Sequence, residues 1–177
     1  MKTHFVMGDP HCTPKSSNDR FFWAGKLARD VKADIIICMG DFVSMDSLSN
    51  YDRGKKSFEG RRYKKDITHG HDALEKFDRG LYSGCARKNN KRKIMLIGNH
   101  EDRIDRAVEN NSELEGTIHI DDLQYKEFGW EVYSFQAPVN VDGVYYSHCF
   151  PNGIMGKPIL EKILLELYLI KIKYPVQ

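Results

Sequence analysis

Long apolar runs, paired cysteines and late histidines are all missing from the 177-residue chain, and each absence narrows its class. No uncharged apolar stretch reaches the roughly 18 residues of a membrane span, so no transmembrane helix is expected. The four cysteines, Cys12, Cys38, Cys85 and Cys149, lie far apart with no CxxC pair, which argues against a thiolate zinc site or a disulfide scaffold. Three of them sit in or beside apolar segments and read as buried thiols in a reducing compartment. The first ten residues lack the apolar core of a signal peptide and reach Asp9 too soon, so a cytoplasmic location is expected. Neither repeat nor low-complexity linker divides the chain, which points to one domain. A net charge of +2 demands neither a nucleic-acid nor a membrane partner.

Short apolar runs alternate with helix-like stretches, the texture of an α/β fold. His4 to Met7 reads as a strand broken at Gly8-Asp9-Pro10. Asn18 suits the N-cap of a helix to about Lys32, with Phe22, Leu27 and Val31 in its apolar stripe. Ile35 to Met39 is a buried strand by its continuous apolarity and ends at Gly40-Asp41. The charged stretch from about Phe58 to Leu81 predicts a helix, with His69 and His71 on a solvated face. Ile94 to Ile97 is a second buried strand, ending at Gly98-Asn99-His100-Glu101, and Glu101 to about Asn110 predicts a helix. Beyond Trp130 the chain turns β-rich, and Asp142-Gly143 is a hairpin signal between Val139–Val141 and Val144–His148.

Each of three apolar strands thus runs directly into side chains suited to a metal. Ligand sites in open α/β sheets gather at the carboxyl ends of strands, so Asp9 and His11, then Asp41, then Asn99 and His100 should converge, joined by His148. Carboxylate, imidazole and amide donors suit Mn, Fe, Zn or Ni better than thiolate-seeking ions. Two cations about 3.5–4 Å apart need a bridging carboxylate, can clamp a phosphate, and acidify a bound water. Singly, each residue has a structural alternative: Asp9 before Pro10 as a turn, Asn99 as a helix cap, His148 as a half-buried core histidine.

The strings Asp9-Pro10-His11, Gly40-Asp41, Gly98-Asn99-His100-Glu101 and the later His148 resemble, in order, the D-x-H, G-D, G-N-H-E and H motifs of calcineurin-like metallophosphoesterases, phage-type members included. The resemblance implies a layered α-β-β-α sandwich and a hydrolase that acts as phosphatase or phosphodiesterase on a phosphorylated small molecule or nucleic acid. It further implies a binuclear metal centre, with manganese first among the metals. Asp9 and His11 would hold one ion, Asp41 would bridge, and Asn99 and His148 would hold the second. His100 would serve the leaving oxygen rather than a metal, and Arg103 would contact substrate phosphate. An exposed helix arginine paired with Glu101 or Asp105 is the structural alternative for Arg103.

Departures from the family pattern shape the remaining expectations. Where the protein-phosphatase branch reads G-D-x-V-D-R-G, Ser44 replaces the aspartate that orients the catalytic histidine and Met45 the adjacent arginine. The final G-H-x-H, which gives one histidine to each metal, has no counterpart after His148. Residues 1–158 read as the metallophosphoesterase domain and 159–177 as an atypical apolar tail, which suggests a C-terminal truncation by a shifted reading frame. Such a tail must be buried somewhere, in a homo-oligomer for example. Weakened metal binding is expected, with water, Cys149 or a neighbouring chain filling vacant positions. The alternative function is a catalytically depleted domain used in binding or assembly. The basic stretches Arg53–Lys65 and Arg87–Lys93 read as a solvated helix face and a loop, or else as an attraction for polyanions. Tyr51, Phe58 and Tyr63 could stack bases there.

Overall fold

The computed structural model describes residues 2–84 and 91–151. Its centre is a parallel sheet of β1 (His4–Met7), β2 (Ile35–Cys38), β3 (Arg92–Leu96) and β4 (Trp130–Tyr133), ordered β1-β2-β3-β4. The register places His4 opposite Ile35, Ile35 opposite Arg92, and Lys93 opposite Trp130. Strand β2 is buried along its whole length, which is why its sequence is unbroken Ile-Ile-Ile-Cys rather than alternating. Successive side chains point to opposite faces. Ile36, Cys38 and Met95 join a core with α1 (Asp19–Asp30) and α2 (Tyr63–Leu81), through Phe21, Ala28, Leu74 and Phe77. Ile35, Ile37, Ile94 and Leu96 pack on Val139 and Val141 of the hairpin β5 (Val139–Val141) and β6 (Val144–Tyr146). Helices, parallel sheet and hairpin therefore form successive layers, the α/β arrangement read from the sequence.

The hairpin closes through Asp142 and Gly143, whose φ values of +50° and +88° suit the tight turn expected of this pair. His4 anchors it to β1 through its Nδ1 to the Tyr146 hydroxyl (2.9 Å) and its Nε2 to Asp142 Oδ2 (3.1 Å).

Two helix expectations need correction. The buried face of α1 is Phe21, Gly25 and Ala28, while Leu27 and Val31 are exposed and Phe22 is only half-buried. The reason is backbone proximity. A Cβ on Gly25 would overlap the Phe77 carbonyl oxygen, and one on Gly80 would overlap that of Phe22, so the two helices meet at glycines rather than on a broad apolar stripe. Asn18 does flank α1, but its Oδ1 accepts from the Cys12 thiol (3.4 Å) rather than from a helix N–H, and its Nδ2 donates to His69 O (2.9 Å) and Asp72 Oδ2 (2.8 Å). The helix expected from Phe58 begins at Tyr63, because Gly60 adopts φ +78° after a 3-10 turn at Lys56–Phe58. Much of Arg53–Lys65 is therefore short turns, with Arg61 tied to Asp52 (2.8 Å), and not one solvated helix face.

Helix α3 (Arg103–Asn110) follows β3 after a short turn. Among the described residues no helix is long and apolar enough to cross a membrane. The 159–177 tail, Cys85 and the core of the Arg87–Lys93 stretch lie outside the described residues.

Candidate metal centre

Because the four strands are parallel, the segments leaving β1, β2 and β3 emerge at one edge. The first two are stitched together by His11 N to Asp41 O (2.9 Å), Cys12 N to Phe42 O (2.7 Å) and Ser44 N to Cys12 O (2.9 Å). Their backbones are bent into the left-handed region at Asp9 (φ +30°), His11 (+48°), Asp41 (+49°) and Met45 (+43°). Each such non-glycine residue costs on the order of 1 kcal/mol, strain that a rigid surrounding must hold.

Asp41 lies at the centre, with only 5% of its side chain exposed. Its Oδ1 accepts the His100 backbone N–H (2.8 Å). Its Oδ2 lies 3.9 Å from His11 Nε2, 3.8 Å from His100 Nε2 and 3.7 Å from His148 Nε2. This close seating needs Gly98, where any Cβ would run into the Asp41 carboxylate and backbone nitrogen.

Hydrogen bonds fix the direction of the His148 and His100 rings. His148 Nδ1–H donates to Met39 O (2.9 Å), which leaves the Nε2 lone pair aimed at Asn99 Oδ1 (3.0 Å) and Asp41 Oδ2. His148 Nε2, Asn99 Oδ1 and Asp41 Oδ2 thus bring three metal-capable atoms together, an arrangement that a cation stabilises. Asp9, more exposed, places Oδ1 3.7 Å from His148 Nδ1. His100 Nδ1–H donates to Ser44 O (2.7 Å), so a backbone carbonyl takes the orienting role where a carboxylate is absent. Arg103 Nη1 donates to the same carbonyl (2.9 Å), and its Nη2 lies 3.3 Å from His100 Nε2. Burial lowers the His100 pKa, and it lowers that of Arg103 as well.

Beneath the cluster, the sequence reading missed a brace. Glu101 is fully buried and accepts the N–H groups of Asp41 (3.0 Å), Val43 (2.9 Å) and Gly98 (3.0 Å) and the Tyr125 hydroxyl (3.2 Å). One carboxylate so joins the segments after β2 and β3. Burial and the neighbouring Asp41 charge push its pKa up to about 7, against the pull of the backbone donors. No side-chain pattern marks this role: only Gly98 N is a near partner in sequence, and the other three come from distant segments.

All seven sequence-derived residues, Asp9, His11, Asp41, Asn99, His100, Arg103 and His148, thus meet at one edge. Arg103 is half-buried against the Ser44 carbonyl rather than paired with Glu101. His69 and His71 stay apart. They are half-buried, not solvated, and bind the carbonyls of Ser16 (3.0 Å) and Asp122 (2.8 Å). Cys12 and Cys38 are buried as expected, whereas Cys149 is only partly so. Burial raises its thiol pKa, away from the thiolate a metal prefers.

The family model of the calcineurin-like phosphoesterases matches residues 4–168, most of the chain. The chain belongs to the calcineurin-like phosphoesterases. No curated protein matches it. Membership in this metal-dependent family suggests phosphoester hydrolysis, and His11, Asp41 and His100 form a group able to hold a metal, with donor atoms all within 4.8 Å of one another. His148 Nε2 lies at least as near to Asp41 Oδ2 as either of those rings does.

Proposed function

We propose that the protein is a metal-dependent phosphoesterase acting on a phosphomonoester or phosphodiester of a small molecule or nucleic acid. The observation that carries this reading is the Asp41 carboxylate oxygen faced by three imidazole nitrogens at 3.7–3.9 Å. Asp9 and His11 would hold one divalent ion, Asn99 and His148 would hold a second, and Asp41 would serve both. Manganese suits this oxygen and nitrogen set, as do Fe, Zn or Ni. When bound, the metal pair supplies a water acidic enough to act as nucleophile at neutral pH.

His100 is assigned to the leaving group and not to a metal. Its Nδ1 is committed to Ser44 O, and its Nε2 lies beside the Arg103 guanidinium, where a substrate phosphate would sit. From there Nε2 can hold a proton for the departing oxygen. Arg103, drawn toward a substrate phosphate, would release His100 and bind two phosphate oxygens. Ser44 O keeps the ring aligned throughout.

Metal titration of the purified chain tests the assignment. Asp41→Asn is expected to weaken Mn binding by at least tenfold and to abolish binding of any second equivalent. Equal affinity and stoichiometry in the two proteins would remove Asp41 from the bridging position.

A further inference from the structure

Beside Arg103, away from the strand ends, lies a cavity of about 650 Å³, within the usual size of a small-ligand site. Three guanidinium groups line it, those of Arg53, Arg103 and Arg106, and among the described lining residues none is acidic. Arg106 is a fixed edge, with Nε 2.8 Å from Asp102 Oδ2 and Nη2 donating to Asn99 O. Arg53 is exposed and makes no ion pair among the described residues, so it can turn toward a ligand. The field favours an anion.

Charge alone would accept any phosphate, but the remaining walls are more particular. Tyr51 lines the cavity and is 87% exposed, so its ring is accessible for stacking by a flat partner. Asn110 and Asn111 donate to the carbonyls of Arg106 (2.6 Å) and Ala107 (2.8 Å), which leaves their Oδ1 oxygens as acceptors for amino groups. Leu48 and Leu114 supply apolar area. A planar heterocycle with an exocyclic amino group, carried on a phosphate, matches this set. A bare sugar phosphate would leave Tyr51 and the two amides unused.

We infer that this cavity holds the organic part of the phosphoester and that this part is a nucleotide with an amino-bearing base. Its connection to catalysis through Arg103 rests on the phosphoesterase reading. No bond is made or broken in the cavity itself; it orients the ester so that its phosphate reaches Arg103.

The test is a titration of the full-length protein in Mn buffer with AMP, ribose 5-phosphate and inorganic phosphate in parallel. AMP should bind about tenfold or more tightly than ribose 5-phosphate, as one base stacked on one aromatic side chain allows. Tyr51→Ala should remove that difference, Tyr51→Phe should keep it, and Arg53→Ala should weaken AMP more than inorganic phosphate. Equal affinity for AMP and ribose 5-phosphate, or an AMP preference unchanged in Tyr51→Ala, would overturn the inference. Hydrolysis of an aryl phosphate by the same preparations reads the phosphoesterase assignment separately. Hydrolysis without AMP preference leaves that assignment and removes the subsite. AMP preference without hydrolysis does the reverse.

Discussion

At the scale of single residues, the two oxygens of Asp41 have separate tasks. Oδ1 is used by the His100 backbone, while Oδ2 faces the imidazoles. A residue so placed was legible in the sequence because Gly40-Asp41 ends an unmistakable buried strand. What was not legible is how its neighbours are steadied. The orienting group for His100 is a backbone carbonyl, and every residue carries one, so no side-chain pattern announces it. The Glu101 brace was equally hidden, since Asp41 N, Val43 N and the Tyr125 hydroxyl, three of its four partners, are distant in sequence. His100 yields a discriminating prediction. His100→Ala should slow phosphoester hydrolysis by roughly a hundred- to ten-thousandfold, the usual loss for a proton-transfer group. Mn affinity should change little, because its Nε2 is taken as a proton carrier and not as a ligand. A parallel collapse of metal binding would show that the ring is a ligand after all.

At the scale of elements, strands were easier to read than helices. Strands β1, β2 and β3 are short, apolar and stopped by Gly-Asp or Gly-Asn, and period and punctuation agree on them. Helix α1 misled because Leu27 and Val31, expected in its apolar stripe, face outward while Phe21, Gly25 and Ala28 do the packing. Gly25→Ala therefore has a sign opposite to helix propensity, which favours alanine. The added methyl meets backbone, not a flexible side chain, so α1 and α2 must separate. A loss of about 1–3 kcal/mol is expected in urea unfolding, and a gain in stability would contradict the contact. On α2, Asp66 is buried, and that burial raises its pKa above the ordinary 3.8, although Ser47 N donates to it (2.9 Å). The folded state thus holds this proton more tightly than the unfolded chain does. The associated stability is present below the ordinary carboxylate pKa and is lost as pH rises through the raised value. Relative to Asp66→Asn, the wild type should lose stability as pH rises above the ordinary carboxylate pKa, measured by urea midpoints at a series of pH values. A difference that stays constant or grows with pH would refute the burial argument.

For the molecule as a whole, layering and site are one fact. The parallel sheet brings three loops to a common edge, and the hairpin that covers its second face carries His148 to the same place. This convergence follows from strand order and could be anticipated from sequence, as could the family. The cavity beside Arg103 could not, because Tyr51, Arg53 and α3 come together only through the fold around the 3-10 turns. The expectation of weakened metal binding, drawn from the missing G-H-x-H, bears on residues beyond 151, which lie outside the described residues. The central claim is metal-dependent phosphoester hydrolysis organised around Asp41. Its most direct measurement is the rate of hydrolysis of p-nitrophenyl phosphate and its bis-ester by the purified protein, with Mn and with chelator, beside Asp41→Asn. The account predicts release of nitrophenol that requires Mn and falls at least a hundredfold in Asp41→Asn. No hydrolysis with Mn, Fe, Zn or Ni, or equal rates in the two proteins, would contradict it.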